Sequence, residues 1–419
     1  MPEDAADWLQ RLAQVESPDS SWKGGGSPRV LAEGAGSEVY DTAGKRYIDL
    51  CAGFGALPLG HNHPGTAAVF AGIAGGGRRP LVHGMGDVYS TPDKVRLLEK
   101  LMTFLPADLG TGSLSLSGGQ AVEYALKTAI LKTGHSGFIA FDGGYHGLDL
   151  GVLPVTARAE FAAPFHGWLK QGLVRHLPFG APAEAIAAAA AELQSAGHGL
   201  AGILVEPVQG RGGIHQAPAG WLATLAAQAE AAGALLIYDE VFAGLGRTGV
   251  WTHAEEAPAD LVCFGKALGG GLPLSVCVGR REVMAAWPEC PGEALHTGTF
   301  FGHPLSCRLG LAVLEILADE NLVDRSARLG NWLRQHLQDE AGHDPGVREI
   351  RGRGLFVGIE FREPGRGAEL MHRLRQRGVL ALASGDHGEC LSLTPALNIP
   401  RNLLGEAAAI VVEQIGHAG

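Results

Sequence analysis

The sequence predicts an α/β fold: a mostly parallel central sheet flanked by helices, followed by a smaller α+β unit. Two observations carry the prediction. Three short apolar runs, Ala201–Val205, Ala234–Tyr238 and Asp260–Phe264, are each followed at once by charge: Glu206, then Asp239 with Glu240, then Gly265 with Lys266. Runs of this length bounded by turn signals read as strands buried on both faces. Strand and helix patterns also alternate from Ser113 to about residue 280, as parallel strands joined by crossover helices do. In open sheets of this kind the ligand site lies beyond the carboxyl ends of the strands. Two acids and one lysine are therefore expected to converge there.

At 419 residues the chain exceeds the size at which one core stops growing, so two domains are expected. The composition, 46% hydrophobic and 18% charged, allows a substantial core. The 63 glycines and 23 prolines stay below the share that signals disorder. A formal charge of −11 and a pI near 5.8 exclude a general nucleic-acid binder, which needs a basic face to neutralise phosphates, and favour small-molecule chemistry. Six cysteines lie far apart with no CxxC pair and no zinc spacing, which suits a reducing compartment and no metal. The start, Met1-Pro2-Glu3-Asp4, carries no basic or apolar leader pattern, and no run is long enough to span a bilayer. A cytoplasmic protein without a membrane partner is expected.

Taken in order, residues 1 to about 25 read as an amphipathic helix ending at a mobile joint, Gly24-Gly25-Gly26. Arg29–Ala32, Glu38–Asp41 and Arg46–Leu50 form a small antiparallel entry sheet, with a turn at Thr42-Ala43-Gly44-Lys45. The loop Cys51–Pro64 holds Phe54 and the pair His61 and His63. With no acid or cysteine nearby in sequence, loop packing suits those histidines better than metal ligation. A helix follows from Asp93 to about Phe104. Ser113–Leu116 then reads as a strand, and Ser117-Gly118-Gly119-Gln120 opens a helix through Lys132. Free backbone amides and the helix dipole make such a start an anion site, though an ordinary strand-to-helix turn has the same pattern.

Gly137–Phe141 is the next strand, and Gly143-Gly144 before Tyr145 and His146 permits a sharp turn that lays the tyrosine ring against something planar; a core tyrosine is the alternative. The Ala-rich stretch Ala181–Leu193 reads as a surface helix. Past Phe300 the pattern changes to helices at Leu305–Leu317, Leu322–Asp339 and Gly367–Gln376, strands within Val347–Phe361, Val379–Ala383 and Cys390–Thr394, and a last helix ending near Ile415. The expected division is 1–60 joining the small domain, 61–300 as the large domain and 301–419 as the small one.

Gly244-Leu245-Gly246-Arg247-Thr248-Gly249 matches the dinucleotide fingerprint formally but is not placed between a strand and a helix, so it is read as a decoy. Gly265-Lys266 lacks the upstream glycine of a phosphate-binding loop. Lys266 instead follows a buried strand and precedes Gly269-Gly270-Gly271, a setting for a lysine of lowered pKa that forms Schiff bases. An ion pair with Asp239 across the sheet is the structural alternative. A Schiff-base lysine, a carboxylate for a pyridinium nitrogen, a glycine-lined helix start for a phosphate and an aromatic to stack on a ring are together what pyridoxal 5′-phosphate requires.

From Arg29 to the end, the chain resembles the class III, ornithine/4-aminobutyrate type aminotransferases of pyridoxal-phosphate fold type I. The motifs that carry the resemblance are Ser117–Glu123, Phe141–Gly147, Glu206-Pro207-Val208-Gln209-Gly210, Asp239-Glu240-Val241-Phe242 with Gly244–Gly249, Gly265-Lys266 and Thr299–Pro304. The resemblance implies that Lys266 is the Schiff-base lysine, that Asp239 faces the pyridine nitrogen, and that Val241 and Tyr145 sandwich the ring. It implies that Gly118 and Gly119 hold the phosphate, that Thr299 reaches the neighbouring subunit's cofactor in a homodimer, and that Glu206 and His146 line the same pocket. Phe54, Arg211 and Ser392 fall on the substrate side.

Two departures bear on substrate. Many family members place a carboxylate where this chain has Arg211, and an arginine in the late strand where it offers Ser392. Either Arg211 binds a substrate acid group, or the favoured substrate has no α-carboxylate. Gly119-Gln120 and Phe242 also depart from common family residues. The implied activity is transfer of an amino group from a primary amine, diamine or ω-amino compound to a keto acid or aldehyde. The alternative within the fold is an aminomutase or amine-phosphate lyase; a nicotinamide oxidoreductase using Gly244–Gly249 is the reading from another class.

Overall fold

The computed structural model describes residues 5–21, 30–75, 81–86, 88–290 and 292–416. The expected Gly24–Gly26 joint and Met1–Asp4 lie outside them. The first helix, Ala5–Val15, is shorter than its pattern suggested, and none of its residues is buried.

The central sheet has seven strands: β1 (Thr111–Ser115), β2 (Gly137–Phe141), β3 (Val174–Leu177), β4 (Leu200–Val205), β5 (Leu235–Asp239), β6 (Leu261–Phe264) and β7 (Ser275–Gly279). Their spatial order is β1-β7-β6-β5-β4-β2-β3. Strands β6, β5, β4, β2 and β3 run parallel, and β7 is antiparallel to both β6 and β1. The central strands read as unbroken apolar runs because helices cover both faces, and every residue of β2, β4, β5, β6 and β7 is buried. Leu236, Tyr238, Val262 and Phe264 face one core, and Leu235, Ile237, Leu261 and Cys263 the other. This alternation is the two-residue period of a strand.

The helix Gly118–Thr133 follows β1. Ser117 accepts from the Gln120 amide while the Gln120 side chain returns to the Ser117 amide, a reciprocal cap, and Gly134 ends the helix at φ 71°. The Ala-rich helix spans Ala183–Ser195 and buries only Ile186, Ala189 and Leu193 along one face. The entry region is held by antiparallel pairing of Leu31–Ala35, Glu38–Asp41 and Arg46–Asp49; Val379–Leu380 then joins the last of these in parallel. The first of these strands begins at Leu31 and ends three residues later than its pattern indicated, at Ala35, where Gly36 turns the chain at φ 56°.

A second four-stranded sheet contains Val347–Arg353, Phe356–Phe361, Cys390–Leu393 and Leu382–Ser384. It packs with helices Leu322–Ala341, Arg366–Gln376 and Arg401–Gly416 around a separate core that includes Leu333, Ile359, Leu391 and Leu404. Helix Pro304–Asp319 belongs to both units: Cys307 and Leu314 enter the first core, Val313 and Leu317 the second.

Two loops add contacts that the sequence did not show. His61 has an acidic partner that sequence distance hid, since its Nε2 lies 2.9 Å from Asp49 Oδ2, and His63 Nε2 is 3.7 Å from Glu320. Both serve loop packing, and among the described residues no cluster of metal-ligating side chains occurs. The Gly244–Gly249 segment is a turn in which Arg247 is buried and donates through Nη1 to the carbonyls of Leu355 (2.8 Å) and Pro395 (2.6 Å). Its glycines fit close packing on the second unit: a Cβ at Gly249 would meet that of Ala327 at 2.7 Å.

Candidate active site

Because β4, β5 and β6 are adjacent and parallel, their carboxyl ends share one edge of the sheet. Tyr238 pairs with Val205 and Asp239 with Cys263, so Glu206, Asp239 and the Gly265-Lys266 turn stand side by side. Above them lies a cavity of about 610 Å3. Gly118, Gly119, Tyr145, His146, Glu206, Arg211, Asp239, Val241 and Lys266 all line it.

Asp239 and His146 form a buried pair. His146 Nδ1 lies 2.8 Å from Asp239 Oδ2, and Asp239 Oδ1 accepts from the Val241 amide at 3.0 Å. A carboxylate only accepts, so the imidazole donates from Nδ1, and its buried Nε2 has no partner among the described residues. Glu206 is held by the backbone: Oε2 accepts from the Tyr145 amide at 2.9 Å and Oε1 from the Gly210 amide at 3.1 Å. Burial pushes its carboxyl up to about 7; His146 opposes that rise and Asp239 adds to it.

Lys266 leaves β6 with φ 37°, a left-handed conformation uncommon for a residue with a side chain. Strain of this kind concentrates at functional sites. Its Nζ sits 4.2 Å from the centre of the Phe242 ring. Burial pulls the ammonium below its ordinary pKa, Asp239 and Glu206 hold it up, and Arg211 lowers it further. A partly desolvated amine of this kind becomes neutral readily and is then nucleophilic.

At the other end of the cavity, the amides of Gly118 and Gly119 head a helix of 16 residues and have no acceptor among the described residues. A Cβ at Gly118 would lie 2.6 Å from Val241 Cγ1, so only glycine leaves room between this turn and the β5 loop. Arg211 stands over the Tyr145 ring, its guanidinium carbon 5.3 Å from the ring centre. Its buried Nε has no hydrogen-bond partner among the described residues, and burial lowers the guanidinium's pKa. The rim beyond it comes from the second unit, where the Gly385 amide donates to the Arg211 carbonyl at 2.9 Å.

Three residues named from sequence are not brought to this cavity. Phe54 is 44% exposed with φ 56°, and Ala56 of the same loop lines the wall instead. Ser392 is buried in the second sheet, with its Oγ 2.5 Å from Ser384 Oγ. Thr299 lies on the exposed segment before helix Pro304–Asp319. Conversely, sequence reasoning passed over Asp149, which lines the cavity beside Gly119, and the apolar wall at Leu272, Pro273 and Leu274. The triglycine at Gly269–Gly271 was the available signal for that wall; Asp149 had none.

The parallel sheet, the lysine and carboxylate at adjacent strand ends and the open helix start define a pyridoxal-phosphate enzyme of fold type I. Comparison with known proteins narrows this. The sequence pattern of the family described as Aminotransferase class-III matches residues 23–415. The acetylornithine aminotransferase of Methanopyrus kandleri is 35% identical over 397 residues, 94% of this chain and 95% of its own. The putrescine aminotransferase of Pectobacterium atrosepticum is 36% identical over 371 residues, 87% and 77% of the two chains. Among solved structures, an ornithine aminotransferase from Toxoplasma gondii, with partial occupancy of pyridoxal phosphate at its active site, superposes with a TM-score of 0.86 at 25% identity, over 98% of this chain and 94% of that one. A phospholyase from Arthrobacter in complex with phosphoethanolamine gives 0.86 at 28% identity, over 99% and 100%. This chain belongs to the class III aminotransferase family, and its cofactor is pyridoxal 5′-phosphate.

Proposed function

We propose that this aminotransferase takes its amino group from a primary amine, diamine or ω-amino compound, and that Arg211 receives the acid group of whichever substrate carries one. The observation that carries the reading is the state of Arg211: a half-buried side chain on the cavity wall whose buried Nε has no hydrogen-bond partner among the described residues. A buried cation is costly unless an anion meets it. Ser392, where the family resemblance led an arginine to be expected, remains tied to Ser384 outside the cavity.

The same arrangement supports the remaining roles in this reading. Lys266 is the covalent anchor for the cofactor and, once freed, the base that moves a proton at the substrate carbon. Asp239 would hold the ring nitrogen, with His146 fixing the carboxylate's orientation through the 2.8 Å hydrogen bond. Val241 and Tyr145 would enclose the ring, Gly118 and Gly119 would receive the phosphate, and Glu206 would stand on the ring's hydroxyl side. When bound, the cofactor supplies an electron-withdrawing ring that accepts the electron pair left on the substrate carbon.

Thr299 acts across a homodimer interface. Support comes from apolar side chains left exposed in one protomer around that segment and the loop before residue 90: Val82, Met85, Tyr89, Leu295 and Phe300 are 49–68% exposed. The reading places the enzyme in the cytoplasm, supported by six unpaired cysteines; among the described residues no helix is long and apolar enough to cross a membrane. The domain division 1–60, 61–300 and 301–419 is supported by the two separate cores, with helix Pro304–Asp319 as the shared element.

The test is Arg211→Ala, assayed with a plain amine donor and with an acid-bearing one. KM for the acidic substrate rises about tenfold to a hundredfold, while kcat and KM for the plain amine hold. Equal losses for both contradict the assignment. A second reading, elimination of phosphate from an amine phosphate, draws on the likeness to the Arthrobacter enzyme and on the fact that a guanidinium receives phosphate as well as carboxylate. Donor added without acceptor separates the two: an aminotransferase stops after one turnover per site, whereas a lyase continues.

A further inference from the structure

One acid lies where the site must receive an anion. Asp149 follows the Tyr145-His146-Gly147 turn, and its carboxylate lines the cavity beside the open start of helix Gly118–Thr133. Its Oδ2 sits 2.6 Å from where a Cβ at Gly119 would be and 3.5 Å from Ser117 Oγ. In that contact the Ser117 hydroxyl donates to the carboxylate at the long end of hydrogen-bond distance, while its oxygen accepts from the Gln120 amide at 3.2 Å. Among the described residues no lysine, arginine or histidine is paired with Asp149. Burial raises the Tyr145 hydroxyl above its ordinary pKa, Arg211 and Arg158 oppose the rise, and the Asp149 charge adds to it.

We propose that Asp149 opposes the cofactor's phosphate in its cradle, so that this chain holds the phosphorylated cofactor more loosely than its helix start alone would allow. The physical reason is that the helix dipole and the Gly118 and Gly119 amides attract a single anionic group at this point. Asp149 supplies a like charge beside that point, where it repels the incoming phosphate. Charges this close interact strongly at a protein surface, and the repulsion is weakened by salt. The consequence is a cofactor that exchanges with the free pool, most readily in the half of the cycle in which no bond to Lys266 retains it.

The test is equilibrium dialysis of pyridoxamine 5′-phosphate against the protein and its Asp149→Asn variant, because this ligand forms no Schiff base with Lys266 and isolates the phosphate contact. Unphosphorylated pyridoxamine is the control ligand, and the thermal melt of each protein without ligand checks that both are folded. The substitution exchanges a carboxylate for an amide of nearly the same size at an exposed position, so folding is retained. The variant is expected to bind pyridoxamine phosphate on the order of tenfold more tightly at low ionic strength, with the gain shrinking at high salt and no gain for pyridoxamine. Unchanged or weaker binding of the phosphorylated ligand overturns the proposal, as does an equal gain for both ligands. The Arg211 reading stands or falls separately, because neither ligand carries a substrate acid group.

Discussion

Glu206 offers the sharpest electrostatic test of the site. Its carboxyl is pushed by burial from 4.5 up to about 7, even though two backbone amides donate to it. Below pH 4.5 the group is protonated in both the folded and unfolded chain, and burial costs nothing extra. Between 4.5 and 7 the folded chain keeps a proton that the unfolded chain has lost, so stability falls as pH rises. Above 7 the whole penalty is present. At 1.36 kcal/mol per pKa unit the loss across this window is about 3 kcal/mol. Glu206→Gln removes the titration. Its amide keeps one of the two backbone hydrogen bonds and loses the other, at a cost of about 1–3 kcal/mol that does not depend on pH. Urea unfolding of both proteins at about pH 5 and about pH 8 is therefore expected to show the variant gaining on the parent as pH rises, by about 2–3 kcal/mol. A difference that stays constant with pH would refute the buried-acid argument.

Other consequences follow from the same contacts. Asp239→Asn retains the shape of the side chain but not its charge: kcat/KM is expected to fall by about 10²–10³-fold, the range for loss of one preorganised electrostatic partner, and stability by about 1.5–3 kcal/mol for the charge-assisted hydrogen bond to His146; steady-state kinetics and urea titration check both. Arg247→Met leaves the buried carbonyls of Leu355 and Pro395 without their donor, which at about 1–3 kcal/mol each lowers the unfolding midpoint while leaving the cofactor absorbance of the folded enzyme in place.

The parallel sheet was legible in the sequence because its strands are buried on both faces, so Leu200–Val205, Leu235–Asp239 and Leu261–Phe264 read as continuous apolar runs ended by function. The convergence of Asp239 and Lys266, the pair proposed as catalytic, was legible for the same reason: charge directly after a buried strand needs a purpose, and both residues line one cavity. Contacts between distant segments were less accessible. Nothing in the local pattern joins His61 to Asp49 across the entry sheet, or His146 to Asp239, 93 positions apart. Asp149 was silent because an exposed acid in a loop ordinarily faces water; only the Gly119 geometry reveals what it faces here. Phe54 and Ser392 show the converse: a place in a motif does not determine where the loop or strand directs the side chain. The alternation in Cys390–Leu393 leaves Ser392 bonded to Ser384 on the neighbouring strand.

The central claim is that Lys266 carries the cofactor, and borohydride trapping tests it most directly. Reduced holoenzyme, digested and sequenced by mass spectrometry, is expected to bear the pyridoxyl phosphate label on the peptide containing Lys266, and Lys266→Ala is expected to bear none and to lose multiple-turnover activity. Label on another lysine, or a Lys266→Ala protein that keeps both the label and repeated turnover, would contradict the account.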